Sequence, residues 1–367
     1  MKISRIRVYQ VHLPLDEPYA LSGGRLHYTA LDSTVVLIDT DEGLQGLGES
    51  CPWGASYLPA FAKGVRAGIA ELAPALLGCN PLHLDNLNHL MDRTLPGHPY
   101  VKSALDMACW DILGHFAQLP VHALLGGRFN ETLSLQSSIP TASPEQMVAQ
   151  VQRAHAQGYR THSCKVGSGV QADRQRIEAL IAARLPGDQL TFDANRAWLP
   201  AQACAVMNAT ADNEVYFEQP CETLEQCQHV RSLTRQPIIL DECIQSAPDL
   251  YRACNLNVAQ AIGLKISRVG GLSKARHLRD YCLAQGIQMN IEDVGGSQIA
   301  DTAALHLAMA TPGEFLRASW NCCRHHSVVT ATGGYVGDQG KAYLGDAAGL
   351  GLAPRMDTLG EPVSVYR

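Results

Sequence analysis

Short apolar runs recur through the second half of the chain at a spacing of roughly 25 residues, and a helix-compatible stretch follows each one. They end near Ser138, Lys165, Asp193, Glu218, Asp241, Lys265, Ile291 and Ser319. Consecutive strand–helix units in this number suit a closed parallel barrel, whereas a doubly wound open sheet would more often carry a G-x-G-x-x-G phosphate turn after its first strand. That turn is absent. Residues 128–332 of this α/β chain are therefore read as a (β/α)8-type modified TIM barrel.

The preceding segment follows another pattern. RIRVYQVHLPL and STVVLIDTDEGLQGLGE alternate as strands do, with Asp41, Glu42 and Gly43 as a hairpin turn. Between them, Leu21-Ser22-Gly23-Gly24-Arg25-Leu26 is glycine-rich and reads as a mobile loop. From Leu58 onward the apolar spacing becomes helical, and Val101, Ala104, Leu105, Ala108 and Ile112 share a face. Residues 1–127 are expected to form a separate α+β unit, with the glycine-rich tail 333–367 running back over it.

Composition narrows the function classes. Hydrophobic residues make up 46% and charged residues 17%, enough for a large core and too little charge for a disordered chain. Lys plus Arg number 29 against 35 Asp plus Glu, so the net charge of −6 leaves no basic excess for nucleic acid or an anionic membrane. No apolar run reaches the roughly 18 residues of a membrane span, and MKISRIRVYQVHLPL lacks the features of a signal peptide. A cytoplasmic location is expected, with the twelve cysteines reduced and mostly in the core. Cys322, Cys323, His325 and His326 cluster, but adjacent cysteines aim poorly at one metal and no C-x-x-C accompanies them, so they read as loop or core.

Five of the apolar runs close on a charge: Lys165 in HSCKVG, Asp193 in LTFDANRAW, Glu218 in VYFEQP, Asp241 in IILDEC and Lys265 in GLKISRVGG. Barrel strands all point one way, so their C-terminal ends ring a single mouth. One acid at a strand end is usually a cap or a surface residue; five charges in consecutive units are not explained that way. Three neighbouring carboxylates repel unless a cation lies among them, and oxygen-only ligation with room for water is the preference of Mg²⁺. Lys165 precedes the acids and Lys265 follows them, which puts the ammonium groups on opposite sides. A substrate carboxylate bound there becomes an electron sink, so its α-proton can leave to one lysine. Crowding by the metal and neighbouring cations would lower that lysine's pKa while the other stays protonated, and the pair could racemise or eliminate. His162 lies on the other face of its strand from Lys165 and reads as structural.

These residues resemble the enolase superfamily, and within it the mandelate racemase and muconate lactonizing enzyme group. The likeness runs from RIRVYQVHLPL and the glycine loop through DMACWDILG and LLGGR to the barrel motifs. It implies a capping domain built from both chain ends, Mg²⁺ held by Asp193, Glu218 and Asp241, and Lys165 with Lys265 as the acid–base pair. It also implies a homo-oligomer acting on a small carboxylate. One motif departs: relatives that lactonize or epimerise dipeptides carry Lys-x-Lys on the second strand, and here Ser163-Cys164-Lys165 stands. Nor is there an Asp-x-Asp near the eighth strand, where RASWNCC is found.

SGGR, GESCPWGASYLPAFAKGVRAGIAEL, LKISRVGGL and IEDVGGSQIADTAALHLA are most similar to the cis-3-hydroxy-L-proline dehydratases of this superfamily, a subgroup that tends to lack the first lysine. The expected reaction is loss of water from cis-3-hydroxy-L-proline to Δ1-pyrroline-2-carboxylate. A racemase or epimerase of proline-like amino acids or betaines needs the same two lysines. Sugar-acid dehydratases usually carry a His-Asp dyad in place of Lys265, and a non-catalytic scaffold would have lost the charged ring. Substrate contacts are expected from cap-loop residues Ser22, Gly23, Cys51, Trp53 and Tyr57, from Trp320 as a ring wall, and from Asp293 as the partner of the ammonium.

Overall fold

A computed structural model describes all 367 residues. The long strand Ile3–Leu21 pairs antiparallel with Leu26–Thr40, which in turn pairs with Gln45–Ser50. The last strand, Ser364–Tyr366, lies on the outer edge against Ile6–Val8, so both chain ends share one sheet. Against this sheet packs the helix Pro99–Ala117, buried almost all round, with a proline in its first turn. Gly46 and Gly48 permit the contact: a Cβ on either would stand 2.0 Å from a helix carbonyl, that of Ala108 or Ala104. Helices Ala62–Leu76 and Leu84–Thr94 complete this layer.

Leu21–Leu26 departs from the mobile loop expected of it. Ser22–Gly24 forms a single tight turn, and the Gly23 amide donates to the Val166 carbonyl at 3.1 Å. A Cβ on Gly23 would fall 2.1 Å from the Gly167 oxygen, so the glycine serves close approach to the barrel.

Eight parallel strands follow: Gln136–Ile139, Thr161–Lys165, Gln189–Asp193, Tyr216–Glu218, Ile238–Leu240, Ala261–Lys265, Gln288–Glu292 and Leu316–Ala318. They lie in sequence order, and the ring closes where Gln136 N donates to Ser319 O at 2.8 Å and Ser319 N to Ser134 O at 2.9 Å. Helices return the chain between most strands. Their starts follow local chemistry: Ser143 with Gln146, and Thr223 with Gln226, form capping boxes. The architecture is a parallel β/α barrel with an antiparallel α+β cap. Beyond it, Tyr335–Asp338 and Lys341–Leu344 make a hairpin that takes in Leu133–Ser134.

One continuous hydrophobic cluster spans cap and barrel. Two polar devices also cross that seam. Glu49, fully buried at the end of the third cap strand, accepts from Ser33 Oγ, from the Ser297 and Ala300 amides and from Ser297 Oγ, capping the barrel helix Gln298–Met309. His122 stacks on His306 of the same helix with centroids 5.3 Å apart, and burial drives His306 down to about 3. All twelve cysteines are free. The Cys322 and Cys323 amides donate to Asp301, and no metal cluster forms around them. No helix is long and apolar enough to cross a membrane.

Candidate active site

Parallel register sets the first part of the site. Lys165 is the residue opposite Asp193, Asp193 lies opposite Glu218, and on the far side Lys265 lies opposite Glu292. Side chains at one level of a closed barrel meet at its mouth. Lys165, Asp193, Glu218 and Lys265 accordingly line one small cavity, with Ser163, Gln136, Ser138, Asn195 and Glu292. The second and sixth strands of a closed eight-strand ring stand across from each other, so the two lysines face each other over the acids.

Each ammonium has its own carboxylate. Lys165 Nζ is 2.5 Å from Asp193 Oδ2, and Lys265 Nζ is 2.9 Å from Asp241 Oδ2 and 3.5 Å from Glu292 Oε1. Arg268, fully buried, donates to Asp241 Oδ1 at 2.5 Å, and Gly263 leaves the room this carboxylate occupies. Burial disfavours both ammonium groups, yet Asp193 with Tyr19 and Glu218 outweighs it at Lys165, and Asp241 with Tyr57 and Glu292 outweighs it at Lys265. Both lysines are therefore held above their ordinary pKa. Among the protein's own groups, each ammonium faces acids before it faces another cation.

Glu218 is the exception among the acids. It is buried, its carboxylate accepts no hydrogen bond and forms no ion pair, and burial together with Asp193 and Asp241 raises its pKa well above the carboxylate range. Asp241 stays well below that range: burial is overcome by Arg268 and Lys265. Asp193, Glu218 and Asp241 do not close into a preformed metal cage. They do present oxygen donors alone, and the unpartnered one lies in the field of the other two.

Cap and barrel together supply the roof. Trp53 and Trp320 stack with centroids 6.5 Å apart, and Tyr19 tilts against Trp53 at 5.2 Å; all three line the cavity. The Trp53 indole N–H donates to the Val294 carbonyl, and Tyr19 hydrogen-bonds Ser138 next to Lys165. Tyr57 also lines the cavity; its hydroxyl donates to Glu242 Oε1 at 3.1 Å, and Arg196 donates to its carbonyl at 2.5 Å.

Four expected contacts lie elsewhere, among them Gly23, whose backbone is seated against Val166 and Gly167 of the barrel. Ser22 is buried with its hydroxyl on the Asn195 carbonyl at 2.8 Å, because the tight turn aims it at the barrel loop. Cys51 is fully buried behind the roof, its sulfur 3.9 Å from the Asp32 carbonyl. Asp293 accepts from the Ser267 amide at 3.1 Å and its hydroxyl at 2.7 Å; one residue out of phase with Glu292, it faces away from the cavity. Glu292, accepting from Gln136 Nε2 at 2.9 Å, lines the cavity where Asp293 does not. Period-two parity from Asn290 was the signal that marks Glu292 as inward. His162 packs outside the barrel against Ser137, at 2.8 Å, and Asp188.

A family profile described as Mandelate racemase / muconate lactonizing enzyme, N-terminal domain, matches residues 3–126, and one described as Enolase C-terminal domain-like matches residues 146–358. The chain is 42% identical over 367 residues, covering 100% of both chains, to a cis-3-hydroxy-L-proline dehydratase of Roseibium aggregatum, a hydro-lyase. It is 30% identical, over 84% of its length and 85% of the relative, to an N-succinyl-L-Arg/Lys racemase of Bacillus cereus. An enolase-superfamily structure from Roseovarius nubinhibens, complexed with magnesium, superposes with a TM-score of 0.94 at 48% identity, covering 100% of this chain and 99% of that one. By sequence over nearly its whole length, and by fold, the chain is an enzyme of the mandelate racemase and muconate lactonizing enzyme family within the enolase superfamily.

Proposed function

We propose that this enzyme is a Mg²⁺-dependent dehydratase that converts cis-3-hydroxy-L-proline to Δ1-pyrroline-2-carboxylate. The observation that carries the reading is the pair of lysines facing each other across one cavity with acids between them. The likeness to the Roseibium dehydratase supports it. Asp193, Glu218 and Asp241 would hold the ion, and the unpartnered, charge-crowded Glu218 is what fits them to a hard cation. When bound, the ion would acidify the α-proton and take up the Asp193 charge that otherwise keeps Lys165 protonated.

In cis-3-hydroxy-L-proline the hydroxyl shares a ring face with the carboxylate, so the α-hydrogen and the leaving group lie on opposite faces. Lys165 removes the α-proton from one side. Lys265, kept protonated by Asp241 and Glu292, gives its proton to the departing hydroxyl on the other, so water leaves. The enamine tautomerises to the imine. Glu292 pairs with the ring ammonium, while Trp53, Trp320 and Tyr19 wall the ring methylenes. Ser163 takes the inward position of the missing lysine, leaving the base without a second ammonium on its own strand.

Opposed lysines also favour racemisation at the α-carbon, the activity carried in the name of the Bacillus relative. Incubation with cis-3-hydroxy-L-proline and MgCl₂ in D₂O decides. A borohydride-reducible imine supports dehydration, α-deuterated substrate epimer with its hydroxyl retained supports racemisation, and neither product refutes the assignment.

A further inference from the structure

We propose that Gln219 is a positioning residue that ties the proposed ligands Glu218 and Asp241 together from behind; the inference rests on the metal reading above. The barrel ladder does not do this. The fourth and fifth strands share only two register pairs, Phe217 with Ile238 and Glu218 with Ile239, and the fifth strand ends at Leu240. Asp241 thus lies beyond the sheet, where strand pairing no longer fixes its backbone.

Gln219 fills that gap. It follows Glu218 directly, is fully buried, and its backbone adopts a left-handed φ of 35°. The turn brings its carboxamide across to the next strand end. Its oxygen accepts from the Asp241 amide at 2.9 Å and from the Cys243 amide at 3.3 Å. Its nitrogen donates to the Cys221 carbonyl at 2.9 Å and to Cys227 Sγ at 3.8 Å. The Gln219 backbone is also engaged, donating to Ile239 O at 2.9 Å and accepting from Arg196 N at 2.8 Å.

Every hydrogen-bonding capacity of the amide is therefore used, half of it on its own loop and half on the backbone of Asp241 and Cys243. A carboxamide is the one side chain of this length that accepts on one side and donates on the other. Its loss leaves the Asp241 and Cys243 amides unpaired in a buried place and uncouples two acids whose oxygens must serve one ion.

Titrating MgCl₂ into the full-length protein by calorimetry, without substrate, tests this. Wild-type protein that takes up no Mg²⁺, or that binds it as tightly after Asp241→Asn, sinks the ligand reading and this inference together. With wild-type binding intact and sensitive to Asp241→Asn, Gln219→Leu is expected to weaken Mg²⁺ about tenfold or more. Unchanged affinity in a folded Gln219→Leu protein overturns the inference alone. Gln219→Glu keeps the length and the oxygen facing the Asp241 and Cys243 amides but gives up the donation to the Cys221 carbonyl, so its melting temperature is expected to fall while Mg²⁺ is held within about threefold, even if the leucine variant does not fold. A tenfold loss there overturns the inference. Cys227→Ala disturbs the same packing but leaves the link to Asp241, so its melting temperature should fall with Mg²⁺ affinity unchanged. An equal fall in affinity would reduce Gln219 to general packing.

Discussion

The two lysines occupy unlike surroundings. Lys165 is ion-paired to one carboxylate, Asp193, in the field of Glu218 and of Tyr19, whose hydroxyl hydrogen-bonds Ser138. Lys265 sits in a lattice of charge, with Asp241 shared with Arg268 on one side and Glu292 braced by Gln136 on the other. A lysine with a single partner can be released by one change in that partner; a lysine between two acids retains its proton through most changes. For the proposed dehydration, we take this difference as the ground for casting Lys165 as the base and Lys265 as the acid.

Removing each lysine is the strongest way to break that assignment. Lys165→Ala and Lys265→Ala are each expected to lower dehydration by about 10³-fold or more. They should part company in D₂O. Lys265→Ala retains exchange of the substrate α-proton without loss of hydroxyl, and Lys165→Ala loses both; the reverse pattern by NMR would exchange their roles.

Glu292→Gln comes next. It keeps the shape but removes the charge proposed for the ring ammonium, so KM for the hydroxyproline should rise about tenfold, worth about 1.4 kcal/mol. Unchanged KM in steady-state kinetics would remove Glu292 from substrate binding. Tyr19→Phe is smaller still: loss of one neutral hydrogen bond to Ser138 should cost about 1 kcal/mol in kcat/KM and leave the Lys265 half untouched.

One effect lies outside catalysis and sets the range over which the two halves can be compared by pH. His306 titrates at about 3 in the folded chain against 6.5 ordinarily, because burial disfavours its charged form. Below about 6.5 the unfolded chain takes up a proton that the folded one refuses. Stability is thus fully present above that pH and is lost as pH falls toward 3, by at most about 1.4 kcal/mol per unit for this group. His306→Gln should flatten that acid limb in a melting-temperature series, and an unchanged limb would point to other groups.

Much of this arrangement was legible in the residues. Lys165, Asp193, Glu218 and Lys265 each end an apolar strand, and parallel pairing carries such ends to one mouth whatever the loops do. Asp293 was expected to face inward and Glu292 does instead, because both close the same run and only the parity counted back to Asn290 separates inward from outward. Ser22 and Cys51 failed for another reason: their directions depend on how the cap settles on the barrel, a contact between segments far apart in sequence that local pattern does not encode. Tyr19 was missed likewise, as an ordinary aromatic in a long strand. Gln219 gave no signal beyond its place after Glu218, since a carboxamide joining two loops has no periodicity.

Glu49 has a bearing on attempts to redesign this enzyme. A cap residue closes the first turn of a barrel helix, so the two halves are not interchangeable parts. A chimera that borrows a foreign roof without an acid at that spot leaves a barrel helix unfinished at its start, and its failure would be misjudged as a fault in substrate choice.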